Sequence, residues 1–209
     1  MTLLQLRHYL YRLDGNCCSA MAGRKRVRNP QSQAAIVEAA ERVVAREGAA
    51  HLTLDAVARE AGLSKGGLLY NFPNKDALLR AMVDSMTDRI DRRREEVRSE
   101  VVAGPNKALR EILAVEKNEL IDRRAGLAIL AASAENPSLL DPIKARLSEV
   151  REEIAATSSD PLDAYIVWLA RDMLMMWDVL GVSPFEESEV EAILARLARR
   201  AAGHAWTWD

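Results

Sequence analysis

The chain has 209 residues, enough for one large or two small domains around a real hydrophobic core. Apolar residues make up 49% and charged residues 29%, a folded composition rather than a disordered one, and the absence of any run of 18 apolar residues excludes a membrane-spanning helix from expectation. The net charge of −2 hides an asymmetry: residues 21–80 carry ten Lys/Arg against six Asp/Glu, whereas residues 81–209 carry seventeen against twenty-four. A basic first part on an acidic remainder points either to one polyanion-facing surface or to an ordinary solvated face.

Adjacent Cys17 and Cys18 are the only cysteines and build no disulfide framework, so a reducing, cytoplasmic setting is expected. His8, His51 and His204 are scattered without metal-ligand spacing, so neither a metal site nor a cofactor is expected. Residues 1–20 superficially resemble a secretory leader, but Arg7, His8 and Arg12 interrupt the apolar stretch. Met21 is a plausible alternative start, and residues 1–22 are expected to be an extension outside the fold.

From residue 31 the sequence reads as helix after helix. Ile36, Ala40, Val43 and Val44 define one face of an amphipathic helix over 33–48. Thr53 is placed to cap "LDAVAREA", Asp55 sits in its first turn, and Gly62 suits the left-handed position after its end. A turn of a few residues leads to Ser64, the cap of the next helix, with Leu63 expected as an apolar plug. Pro73 stops that helix and Asn74 caps a long one, with Leu78, Met82, Met86, Ile90 and Val97 at helical spacing until Gly104-Pro105. Asp160-Pro161 and Ser183-Pro184 each place a capping residue before proline, with Glu186 completing an S-x-x-E box after Ser183. The helix 161–180 is apolar nearly all round, whereas the helix 186–201 carries a single stripe through Val190, Ile193, Leu194, Leu197, Ala198 and Ala201. With no alternating segment long enough for a strand, the fold is expected to be all-α.

Three short helices joined by the tight turn "AGLS" make a helix-turn-helix, in which one helix braces and the next offers its N-terminal end to a DNA major groove. The run "TLDAVAREAGLSKGGLLYNFPNKDALL" carries Ser64, Lys65, Gly66, Tyr70, Phe72 and Lys75 in a pattern that resembles the DNA-binding domain of the TetR family of transcriptional regulators. With the basic arm Arg24, Lys25 and Arg26, the resemblance covers roughly residues 24–85. It implies a DNA-binding domain over 23–78 followed by a larger helical effector-binding and dimerisation domain over 79–209.

Chemistry suggests a role for each residue beside a bland alternative. Ser64 and Thr53 cap helices with or without DNA, and leave N–H groups facing phosphate. Lys65 is a long donor to a guanine edge or phosphate; Tyr70 offers a hydroxyl to phosphate or packs its ring on the helix 33–48; Lys75 neutralises phosphate or pairs with Asp76 or Glu60. Arg24, Lys25 and Arg26 follow the backbone or enter a minor groove. Leu69 either meets a thymine methyl or faces the core, and Asn71 either reads adenine or bonds a phosphate. Gly66 and Gly67 cost a helix interior but little at its first turn, and they let the helix tip come close to DNA. Replacing Gly67 by Ser or Thr is expected to keep the fold and alter operator preference.

The resemblance implies that helices 161–180 and 186–201 pack against their symmetry mates, giving a homodimer whose recognition helices lie one DNA turn apart on a palindromic operator. A small, mostly apolar effector would release such a repressor. Trp168, Met175, Met176 and Trp177 either line its pocket or pack in the core or dimer interface. An enzyme is not expected, because no nucleophile with a base and no phosphate-cradling Gly-rich loop is present. The other reading is a helical interaction module that sequesters a partner without binding DNA.

Overall fold

The computed structural model describes residues 30–115 and 122–206. The extension over residues 1–22 and the basic arm Arg24, Lys25 and Arg26 lie outside the described residues. Among those described there are nine α-helices and no strand.

Helix α1 (Pro30–Glu47) buries Ile36, Val37, Ala40, Val43 and Val44, the stripe its 3.6-residue period requires, and ends at Gly48 with φ +87°. Helix α2 (Leu54–Glu60) starts where the Thr53 hydroxyl accepts from the Ala56 N–H at 3.1 Å. It closes at Gly62 (φ +66°), where Gly62 N–H donates to Arg59 O and Leu63 N–H to Ala58 O, the paired bonds of a Schellman turn. Leu63 is no plug. It is 39% exposed, because the Schellman turn throws it outward, and Leu68 fills the space between α1 and α2 instead.

Helix α3 (Lys65–Asn71) is capped by Ser64 Oγ, which accepts from Gly67 N–H at 3.1 Å. After Pro73, Asn74 Oδ1 accepts from Ala77 N–H at 2.8 Å and opens α4 (Lys75–Arg98), 24 residues and about 36 Å long. α4 ends at Arg98, before the expected break at Gly104-Pro105, and a turn-rich stretch leads to α5 (Lys107–Leu113). Next come α6 (Arg123–Glu135) and a 3₁₀ turn (Pro137–Leu140), followed by α7 (Asp141–Thr157).

Helix α8 (Pro161–Leu180) has the predicted bounds, with Asp160 Oδ1 accepting from Asp163 N–H at 3.2 Å. Its all-round apolar character resolves into two faces. Ala164, Val167 and Leu174 are buried in the chain's own core, whereas Leu162, Ile166, Leu169, Met173, Met176 and Leu180 form an exposed stripe at i, i+4, i+7 and i+11 spacing. The start of α9 (Glu187–Ala201) corrects the sequence reading. Ser183-Pro184 does not open it: the capping box is Glu186 with Glu189, whose carboxylate accepts from Glu186 N–H at 2.9 Å. Residues 181–186 are used otherwise, by a left-handed turn at Gly181 and by Phe185 reaching Trp177 at 5.9 Å between ring centroids.

Two hydrophobic clusters organise the molecule. The first holds α1–α3 and the first half of α4, but also Ala125, Ala128 and Ile129 of α6 and Leu139, so its packing continues past residue 78. The second joins α5, α7, α8 and α9 through residues such as Leu109, Ile154, Val167 and Leu197. Polar bonds fasten α6 to the first cluster at both ends. Arg124 donates to the Ala45 carbonyl near the end of α1, Asn136 Nδ2 donates to Asp76 at 2.9 Å, and Arg80 donates to Ser138 Oγ at 3.0 Å.

Candidate nucleic-acid interface and effector cavity

The inner face of α3 is fixed by Leu68, fully buried, and by Phe72 just past its end. Periodicity then turns Lys65, Gly66, Leu69 and Tyr70 outward, and all four are exposed. Thr53 and Ser64, the caps of α2 and α3, are exposed beside them, as is Lys75 at the start of α4. The structure thus leaves Thr53, Ser64, Lys65, Gly66, Leu69, Tyr70 and Lys75 exposed at the caps of α2 and α3, on the outer face of α3 and at the start of α4.

Lys65 is held toward α2 by an ion pair with Asp55 at 3.0 Å, both side chains more than 60% exposed. Such a pair is worth well under about 1 kcal/mol and yields readily to a phosphate. Glu60, one of the partners considered for Lys75, is engaged by Arg42 and Arg46 of α1 at 2.8 and 2.9 Å. The hydrogen bond from Arg42, then that from Arg46, holds its carboxyl below the usual range. These pairs brace α2 against α1 and leave Lys75 to solvent.

Asn71 takes a different place from the one expected. It is 8% exposed, on the inner side with Leu68 and Phe72, and its Nδ2 donates to Gly67 O at 3.0 Å. One turn earlier, Gly67 has no side chain to cover that carbonyl, so the Asn71 amide folds back on its own helix. The two glycines also separate. A Cβ at Gly66 would meet nothing within 4 Å, whereas one at Gly67 would lie 3.3 Å from Ser64 Oγ, the capping atom itself. Gly66, not Gly67, is the open position on the recognition face.

A second feature lies between α4, α6, α7 and α8: a cavity of about 650 Å³, mostly apolar. Trp168, Met175 and Met176 line it, as predicted candidates; Trp177 does not, being turned to Phe185 on the other side of α8. Met86 and Ile90 of α4 also line it, and their sequence signal read only as a packing stripe. The charged part of the wall was not anticipated. There Arg94 is 4% exposed, with Nη2 3.2 Å from Glu111 and 2.6 Å from Glu153.

Comparison with known proteins follows the same division. Residues 36–82 match the family model described as "Bacterial regulatory proteins, tetR family", and residues 106–202 match "Tetracyclin repressor-like, C-terminal domain". Together the two matches take in both the helix-turn-helix and the helices around the cavity. The chain belongs to the TetR family.

Among relatives, this TetR-family chain is 33% identical over 101 residues to the HTH-type transcriptional regulator TtgR of Pseudomonas putida, 48% of each chain. It is 28% identical over 107 residues to the HTH-type transcriptional regulator EthR of Mycolicibacterium smegmatis, 49% of each. The chain spans about half the length of the curated relatives it matches, and their names are those of regulators rather than enzymes. Among solved structures, a TetR-family member from Streptomyces coelicolor is 25% identical with a TM-score of 0.60, covering 80% of this chain and 98% of that one. The multidrug binding protein EbrR, solved with proflavin, is 25% identical with a TM-score of 0.51, covering 79% and 99%.

Proposed function

We propose that this chain is a homodimeric, DNA-binding transcriptional repressor whose hold on a palindromic operator is released by a small, mostly apolar effector. The observation that carries the reading is the outer face of α3: a capped helix tip with Lys65, Gly66, Leu69 and Tyr70 exposed on a braced scaffold. Ser64, Thr53 and Lys75 add phosphate-directed groups around it, and the arm Arg24, Lys25 and Arg26 adds cationic charge. Asn71, turned inward, is not among the base-reading groups of this proposal.

The exposed stripe on α8 supports the dimer. Leu162, Ile166 and Leu180 of that face are exposed and lie outside the cavity wall, so they call for a partner, and a two-fold axis brings the same face onto itself alongside α9. Symmetry then makes the operator palindromic. The cavity supports the effector. Its lining by Trp168, Met175 and Met176 suits apolar ligands of varied shape, in keeping with the multidrug binding named for EbrR. The test is fluorescence anisotropy with the duplex flanking the gene, against random duplex of equal length, at several salt concentrations. Binding should prefer the flanking sequence and weaken steeply with salt; equal affinity for both duplexes would sink the specific-repressor reading.

A further inference from the structure

The outer face of α3 carries an apolar group that phosphate contacts leave unused. Opposite the buried Leu68 and Phe72, helical periodicity places Lys65, Gly66, Leu69 and Tyr70, all exposed. Leu69 is 37% exposed. Gly66, one turn before it on the same face, leaves open space beside it, since a Cβ there would meet nothing within 4 Å. Resting on the DNA-binding reading, we propose that Leu69 is a specificity-determining residue, which packs on the 5-methyl group of one thymine per half-site, admitted to the helix by the bare backbone at Gly66.

The other side chains of α3 favour an apolar contact. Bidentate hydrogen-bonded readout relies on arginine or lysine against guanine and on asparagine or glutamine against adenine. α3 holds no arginine or glutamine, and its one asparagine, Asn71, is 8% exposed with Nδ2 donating to the Gly67 carbonyl at 3.0 Å. Lys65 is drawn toward α2 by Asp55 at 3.0 Å, and its ammonium serves a phosphate as well as a base. Leucine gains nothing against a phosphate or a polar base edge, and the apolar group that the major groove presents is the thymine methyl. Cytosine carries only a hydrogen at that place, so the contact separates T·A from C·G without a hydrogen bond. Leu63, the other exposed leucine of the helix-turn-helix, is 39% exposed but stands elsewhere. Its Cβ lies 3.9 Å from where a Gly67 Cβ would be, and Gly67 is turned about 200° around the helix from Leu69.

The test starts from the operator that the full chain selects out of a random duplex pool. Each thymine of that operator is replaced in turn by deoxyuridine, which keeps every hydrogen-bonding group and removes only the methyl. At one thymine per half-site the replacement should weaken binding about fourfold in one half-site and about fifteenfold in both, the worth of one buried methyl group each. Leu69→Ala should bind the thymine and deoxyuridine operators alike, whereas Leu63→Ala should keep the difference. A penalty below about twofold at every thymine, or a selected operator without thymine, overturns the inference. So does a penalty that Leu69→Ala retains, which would mark altered duplex stiffness, or one that Leu63→Ala abolishes. In each of these cases selective binding survives, so the repressor reading stands; a pool that yields no preferred sequence overturns both. Should Leu69→Ala fail to fold, Leu69→Ser reads the same difference.

Discussion

Ile166 stands mid-stripe on α8, 59% exposed and outside the cavity wall, so truncating it probes the dimer seam without touching the effector site. Ile166→Ala removes three carbons, about 2.4 kcal/mol when fully buried at roughly 0.8 kcal/mol per methylene. Scaled by the exposed fraction that a partner would newly cover, the loss is about 1.4 kcal/mol per copy. A two-fold interface contains the residue twice, so the dimer should weaken by about 3 kcal/mol, roughly two orders of magnitude in Kd. Sedimentation-velocity dilution series on the unaltered and substituted chains measure this directly, with helical circular dichroism confirming that the monomer stays folded. Val102→Ala is the control, since Val102 is 76% exposed but lies in the turn after α4. A folded Ile166→Ala chain that dimerises within threefold of the original would show that the stripe is not the seam.

On the recognition helix, Gly66→Ser should leave the melting temperature nearly unchanged and alter base preference in selection from a random duplex pool, because its Cβ meets open space. Gly67→Ser should instead disturb the Ser64 cap and cost about 1 kcal/mol, read by urea denaturation. Gly181 has φ +69°, and a Cβ there would collide with Arg123 Nη2, whose Nε donates to Val179 O at 2.8 Å. Gly181→Ala should therefore destabilise by about 1–2 kcal/mol from the left-handed backbone, and part of any excess should vanish in the Arg123→Ala background. Glu60 is held below the ordinary carboxylate range by Arg42 and then Arg46, so its contribution is present at neutral pH and lost as pH falls through its depressed pKa. Glu60→Gln should flatten that acid limb of the stability curve, measured by thermal melts between pH 7 and pH 3.

The helices were legible because their start and stop signals are local. Thr53, Ser64, Asn74 and Asp160 each cap through a side chain that needs only the next three residues, and Pro161 and Gly62 act at their own positions. The Ser183-Pro184 start misled because a local signal lost to a tertiary one, the contact of Phe185 with Trp177. The outward residues of α3 followed from periodicity, but Asn71 depended on a carbonyl left bare by Gly67, a relation that residue type alone does not announce. Trp168, Met175 and Met176 stood out by size and softness. Arg94 did not, since within "DRIDRRREE" it is one arginine among four, and only the approach of α5 and α7 singles it out.

The fastening of α6 into the first hydrophobic cluster bears on how the chain melts and how it can be cut. A fragment ending with α4 would bare the surfaces that Ala125, Ala128, Ile129 and Leu139 cover, and would lose the bonds from Arg124 and Asn136. The helix-turn-helix is therefore not a detachable cassette. Its amide protons should exchange with solvent at the pace of the whole chain rather than through a separate opening, and grafting it onto a foreign effector domain would require carrying α6 along.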